Sequence, residues 1–270
     1  MTVTPQELTE RMRVVWSAGD YNPIATREVL VSELLAREID VHWGDRVLDV
    51  AAGTGNTALA AARRGARVTA SDFSATMLER AAQRAAVEGL EIEIEVADAQ
   101  RLPFPDDMFD VVLSTFGVMY APDQQRTADE LIRVTTPGGR IGLVSWTPDG
   151  LVGRLQGSRT EEVPGQPPPP GKTASLWGTE QHCKELFGDR ISELRSTLRT
   201  QEFCAASARA QVDFLLEHLP PARAGHGMLD ADGQRRWIAA GLEEFERHNR
   251  AQDGTLVGCA EYLEVIATVR

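Results

Sequence analysis

The stretch Val47 to Asn56, VLDVAAGTGN, constrains the fold of this chain more than any other. Val47-Leu48-Asp49-Val50 is a short apolar run with the signature of a buried strand, and the glycines that follow mark a tight turn. The alanine-rich Thr57 to Arg64 then predicts a helix. A strand feeding a helix through a glycine turn aims the first backbone N–H groups of that helix at a ligand. Gly53 and Gly55 lack a Cβ, so the turn can be tight and a ligand can approach the main chain. Gly53-x-Gly55-x-x-Ala58 also matches the fingerprint of a dinucleotide-binding turn.

The pattern continues as βα units. Arg67 to Ala70 predicts a strand, Ser74 to Val87 a helix, Glu91 to Val96 (EIEIEV) a strand, Phe109 to Ser114 a strand, Asp123 to Val134 a helix and Arg140 to Trp146 a fifth strand. Such alternation predicts a parallel sheet covered by helices on both faces. Val47 to Val50 and Val111 to Leu113 are apolar on both faces and belong in the centre. EIEIEV carries its glutamates on one face and belongs at an edge, where charge discourages further pairing.

Charge separates the possible ligands. Asp49 lies in the first strand, Asp72 ends the second and Asp98 is expected at the end of the third, so three carboxylates line the rim where open parallel sheets bind ligands. A pyrophosphate would be repelled there. A ligand with an ammonium, hydroxyls and an adenine amine has something to offer each acid, and S-adenosylmethionine is such a molecule. An aspartate before Phe73-Ser74 is also an ordinary helix start. It is the shared position at successive strand ends that carries the assignment.

At these residues the chain resembles the class I S-adenosylmethionine-dependent methyltransferases. VLDVAAGTGN is similar to their first motif, SDFS to the acidic second, ADAQRLPFPDDMFDVVLS to the third and fourth, and LIRVTTPGGRIGLVSW to the segment entering the fifth strand. The likeness covers about residues 20 to 150 and is greatest to the ubiquinone/menaquinone-biosynthesis type. It implies a Rossmann-like α/β fold with a seven-stranded sheet in the order 3-2-1-4-5-7-6, strand 7 antiparallel, and the segment from Leu256 to Val269 as that strand. It implies S-adenosylmethionine as cofactor and S-adenosylhomocysteine as product.

The resemblance also implies roles by position. Ala51, Gly53 and Asn56 would line the methionine part, with Gly55 also among the cofactor-binding residues, and Asp49 would steer the ammonium directly or through water. Asp72 would accept from the ribose hydroxyls, Phe73 and Met77 would flank the adenine, and Asp98 with Ala99 would hold the adenine amine. Thr115 and Phe116 would close the pocket near the methyl group. Tyr21 stands where related enzymes place an aromatic lid. Ala51 departs from the family, many members of which have glycine there.

The remainder is read more coarsely. Leu8, Met12, Val15 and Trp16 predict a helix after Thr4-Pro5, and a second helix follows Asn22-Pro23. Residues 1–40 are expected to form N-terminal helices, 41–150 the cofactor-binding core, and 151–270 a C-terminal part with strands 6 and 7 and a helical cap insertion at about 207–250, all within one domain. The cap, with the N-terminal helices, is expected to cover the pocket and select the acceptor. Trp146, Trp177 and Trp237 are expected as core or as acceptor walls. Val163 to Gly171 (VPGQPPPPG) reads as a stiff surface connector, with recognition by a partner's aromatic groove as the alternative.

Forty acidic against 28 basic side chains give a formal charge of −12, which disfavours steering toward duplex nucleic acid. Cys183, Cys204 and Cys259 are widely spaced and indicate neither a disulfide framework nor a zinc site, so no metal is expected. No segment has the length or apolarity of a membrane span, and Met1 to Glu10 lacks the pattern of a signal peptide. A cytoplasmic location without membrane partners is expected. Five histidines (His42, His182, His218, His226, His248) are candidate bases, each with a surface role as the ordinary alternative, and the sequence designates no catalytic residue. The expected activity is methyl transfer to O, N or C of a small molecule. The alternatives are an NAD(P)-dependent oxidoreductase and a non-methylating relative that binds S-adenosylmethionine. The acceptor and the oligomeric state are not legible.

Overall fold

A computed structural model describes residues 4–160 and 174–270; the proline-rich stretch Val163 to Gly171 lies outside the described residues. The strands are β1 (Arg46–Val50), β2 (Arg67–Asp72), β3 (Glu93–Val96), β4 (Phe109–Thr115), β5 (Thr135–Trp146), β6 (Ile191–Ala205) and β7 (Leu256–Val269). They form one sheet in the order β3-β2-β1-β4-β5-β7-β6. β1 to β5 run parallel, and β7 is antiparallel to both β5 and β6.

The helices of the core are α1 (Pro5–Trp16), α2 (Asn22–Ala25), α3 (Val29–Glu38), α4 (Asn56–Arg63), α5 (Ala75–Glu88) and α6 (Gln124–Val134). Local caps set the limits of three of them. Thr4 and Glu7 form a reciprocal capping box at α1. Ser74 and Asp123 accept N–H groups at the starts of α5 and α6, and Gly89 ends α5 at φ 67°.

Val47, Leu48, Val111, Val112 and Leu113 are fully buried in the centre of the sheet. Burying each such side chain stabilises the fold by roughly 1.5–3 kcal/mol. Ala58, Ala60 and Ala61 of α4 are also fully buried, and their small side chains let the helix lie close to the sheet. Edge strand β3 is shorter than the alternation predicts, and its apolar residues are not covered: Ile94 is 43% and Val96 56% exposed.

The C-terminal part holds α7 (Leu151–Thr160), α8 (Glu180–Phe187), α9 (Ala208–His218), α10 (Pro220–Gly227) and α11 (Ala231–Arg247), the last three inserted between β6 and β7. The sequence reading lacks α7 and α10. Gly153 and Gly157 interrupt the apolar pattern of α7, which Leu151 and Leu155 anchor by burial. Pro220, Pro221, Gly225 and Gly227 give α10 poor intrinsic propensity. It is held instead by packing on α1, α9 and α11.

The expected second N-terminal helix is split. The N–H groups of Arg27 and Glu28 bond back only three residues, to Ile24 and Ala25. This tight turn separates α2 from α3 and leaves Glu28 at the start of α3, with consequences for the site.

Among the described residues no helix is long and apolar enough to cross a membrane. Nor is there among them a cluster of three His, Cys, Asp or Glu side chains able to hold a metal.

Candidate functional site

A cleft of about 980 Å³, open space at its mouth included, lies beyond the carboxyl ends of β1, β2 and β4. The turn after β1 forms its floor. Ala51 and Gly53 take left-handed backbone angles of φ 54° and 55°. Such angles suit glycine and cost an alanine about 1–2 kcal/mol. A Cβ on Gly53 would meet only the Met77 sulfur, at 3.7 Å, whereas one on Gly55 would stand 2.7 Å from the Ala81 Cβ.

The two glycines therefore differ in role. Gly53 lines the cleft; Gly55, expected there too, instead faces α5, and its bare Cα lets α4 and α5 approach.

The acidic residues hold this turn in place. Asp72 accepts the Gly53 N–H through one carboxylate oxygen at 2.9 Å and the Ser74 N–H through the other at 2.8 Å. Asp49 accepts the Ala58 N–H at 2.8 Å, satisfying one of the orphan donors in the first turn of α4. Its second oxygen, Oδ1, is buried and has no hydrogen-bond partner. Burial pushes Asp49 up to about 8, opposed by the Ala58 N–H and aided by the charge of Asp72. Burial likewise raises Asp72 to about 6 against its two N–H donors.

Asp98 lies past the end of β3 rather than in it, and is held by Gln100, whose amide nitrogen is 3.0 Å from both carboxylate oxygens. Gln100 also donates to Thr9 of α1 and receives the Asp123 N–H, so it ties three elements at the rim. Asn56 lines the cleft, but its amide is committed elsewhere: it donates to the Ala25 carbonyl and accepts from Arg84. Phe73, Met77, Ala99, Thr115 and Phe116 complete the expected set on the cleft wall.

Phe116 has a left-handed φ of 55° and is fixed by its neighbours. Its ring stacks on Trp146 with centroids 3.7 Å apart and meets Tyr262 edge-on. A strained backbone at a cleft persists only where packing over-determines it.

A second cavity, of about 720 Å³ including its open part, adjoins the first. Trp16, Tyr21, Glu28, Phe116 and Tyr120 border both. The far wall comes from the helices between β6 and β7, with Gln211, Phe214, Leu215, Leu219 and Phe245, together with Trp146 and Phe203 of the sheet. These helices are tied to the N-terminal ones: Arg27 donates to Gln211 and stacks over Phe214 at 3.5 Å, and Arg223 reaches the Ala18 carbonyl.

Of the tryptophans singled out, Trp146 is thus a wall, while Trp177 and Trp237 are core residues.

None of the five histidines lines either cavity. The titratable group that sequence reasoning missed is Glu28. It is 9% exposed and accepts a hydrogen bond from the Tyr21 hydroxyl at 3.3 Å. Burial pushes it up to about 8, moderated by that hydrogen bond. A signal was present, because Glu28 falls at helical spacing with Ile24, Val31 and Leu35, a carboxylate on an apolar face.

Known proteins resemble this chain in sequence and in fold. A family model described as a methyltransferase domain matches residues 47–139. An uncharacterized protein of Mycobacterium tuberculosis is 42% identical over 211 residues, covering 75% of each chain. A demethylmenaquinone methyltransferase of Thermus thermophilus is 37% identical over 154 residues, 50% of this chain and 70% of that one. Among solved structures the YcgJ protein of Bacillus subtilis aligns with a TM-score of 0.60 at 19% identity, covering 88% of this chain and 97% of that one, a likeness of fold.

Proposed function

The chain belongs to the methyltransferase-domain family, as a class I S-adenosylmethionine-dependent methyltransferase, and from that premise we propose that it methylates a small, largely apolar acceptor held in the second cavity. The observation that carries this reading is the pair of adjoining cavities, one acidic at the strand ends and one aromatic beneath the inserted helices.

The residues of the first cavity suit the cofactor. Asp49 has a buried oxygen without a partner, which an ammonium group can satisfy. The bare Gly53 Cα leaves room for close approach, and the Asp72 carboxylate, oriented by two N–H groups, keeps lone pairs for hydroxyls. We assign Asp49, Ala51, Gly53 and Asn56 to the methionine part, Asp72 to the ribose, and Phe73, Met77, Asp98 and Ala99 to the adenine. Tyr21 and Phe116 stand between the two cavities, and Thr115 lines the first beside them.

When bound, S-adenosylmethionine supplies a methyl group activated on a sulfonium. The protein's share is alignment and exclusion of water. Phe116, fixed against Trp146, and Tyr21, packed edge-on against Trp16 with centroids 5.6 Å apart, form a rigid aromatic partition where the acceptor meets the methyl. The inserted helices close the acceptor side. The three free cysteines are consistent with a reducing cytoplasm.

Leu215→Trp tests this by filling the second cavity. S-adenosylhomocysteine affinity should stay within threefold, while transfer of labelled methyl to a mixture of small aromatic phenols and amines should fall at least tenfold. Transfer equal to wild type would overturn the assignment of that cavity.

A further inference from the structure

Resting on that reading, we propose that Glu28 is the general base of the reaction and that the acceptor reacts through an acidic O–H, as a planar phenol or enol. Among the described residues, Glu28 is the one carboxylate bordering both cavities at the aromatic partition, and the only acidic side chain on the wall of the second. Asp49, Asp72 and Asp98 border the first cavity alone.

The other groups around Glu28 define what it can serve. Tyr21 donates its hydroxyl to Glu28 Oε2, and burial holds that phenol well above its ordinary value, so it remains a donor throughout the working range. Tyr120 stands beside the same partition, and among the described residues Arg27 is the only cation on the wall of the second cavity. Arg27 has no carboxylate partner among the described residues, since its guanidinium donates to Gln211 and lies over Phe214. A cationic amine would meet this guanidinium unfavourably, whereas a neutral or anionic aromatic acceptor would not. The walls supplied by Trp16, Phe116, Trp146, Phe203 and Phe214 favour a flat ring.

Glu28 in its ionised form accepts the proton of the acceptor hydroxyl. The O–H bond breaks as an oxygen lone pair forms the new bond to carbon; the electron pair of the carbon–sulfur bond remains on sulfur, and the sulfonium charge is discharged. The proton on Glu28 balances the charge. Tyr21 is a positioning residue: its hydrogen bond steadies the carboxylate and favours its ionised form. A general base with a pKa near the operating pH contributes about 10²- to 10⁴-fold.

The test uses the full chain with 2-naphthol as probe. S-adenosylhomocysteine affinity is measured first, for wild type, Glu28→Gln and Tyr21→Phe. Retained affinity shows that each protein is folded with its cofactor site intact. Failure of the wild type to bind S-adenosylhomocysteine would overturn the underlying reading and this proposal with it. With binding established, wild type should form 2-methoxynaphthalene with a kcat that rises through about pH 8. Glu28→Gln should lose at least 100-fold in kcat with KM within threefold and with no such rise. Tyr21→Phe should keep most of the plateau rate while its midpoint moves to higher pH. If 2-naphthol is not methylated, or if Glu28→Gln keeps the wild-type rate and profile, Glu28 is not the base and the proposal falls.

Discussion

The Gly53 amide donates to Asp72 Oδ2 at 2.9 Å, so the last residue of β2 holds the turn that follows β1. The other oxygen of the same carboxylate starts α5 through the Ser74 amide. One side chain therefore fixes two backbone segments that flank the cleft, and it does so from a buried position.

Asp72→Ala should weaken S-adenosylmethionine binding by 10- to 100-fold, since it frees two backbone donors and removes the acceptor proposed for the ribose. Loss of hydrogen bonds to a charged group costs about 1.5–3 kcal/mol, and 1.4 kcal/mol is tenfold in affinity. Calorimetry measures this directly; affinity within threefold of wild type would refute the role given to Asp72.

With the ammonium placed as proposed, Asp49 should couple cofactor binding to pH. Its carboxyl is raised to about 8 by burial, so near pH 7 it is largely protonated in the cofactor-free protein. An ammonium beside it favours the ionised form, so binding at pH 7 should release close to one proton. Affinity should rise with pH up to about 8 and then level. Binding enthalpies in buffers of different ionisation heat count the protons, and Asp49→Asn should abolish the release.

Stability should follow the opposite slope. Asp49 and Glu28 at about 8, and Asp72 at about 6, are all raised above their unfolded values, so the native state holds more protons than the unfolded chain between pH 4 and 8. The stability these groups contribute is fully present below their unfolded pKa values and is lost as pH rises through the folded ones. The melting temperature of the cofactor-free protein should fall between pH 5 and 8.5. Asp49→Asn should flatten that fall, and an unchanged slope in the variant would count against the burial argument.

Ala51→Gly should be tolerated. Glycine relieves the left-handed strain of about 1–2 kcal/mol at φ 54°, while extra freedom in the unfolded chain costs about 0.4–1 kcal/mol. The net change should lie between about 0 and 1.6 kcal/mol in favour of the variant. Cofactor affinity should stay within threefold, because the Ala51 carbonyl and its approach to Gly117 are backbone features. Denaturant titration gives the first quantity and calorimetry the second.

The parallel half of the sheet was legible because β1 and β4 are apolar on both faces, β3 alternates strictly, and β2 is followed by the capping residue Ser74. Val47 to Val50, Phe109 to Ser114 and Asp123 to Val134 appear in the structure within a residue or two of their expected limits. Gly55 shows where the local argument ends. A glycine after a strand predicts freedom of approach, but what approaches it is Ala81 of a neighbouring helix, a partner distant in sequence. α10 was missed for a related reason, since its prolines and glycines argue against a helix and only packing supplies one.

Short-range physics, carried by apolar runs, turn glycines and caps, is written residue by residue, and it determined the strand–turn–helix units and the acids at their ends. Tertiary structure alone decided that Glu28 borders both cavities and that Phe214 and Leu215 wall the second. Both depend on segments far apart in the chain coming together, as Arg27 does with Gln211. The pKa of Glu28 is likewise a property of its buried surroundings rather than of its neighbours in sequence, because desolvation is set by what packs around a group.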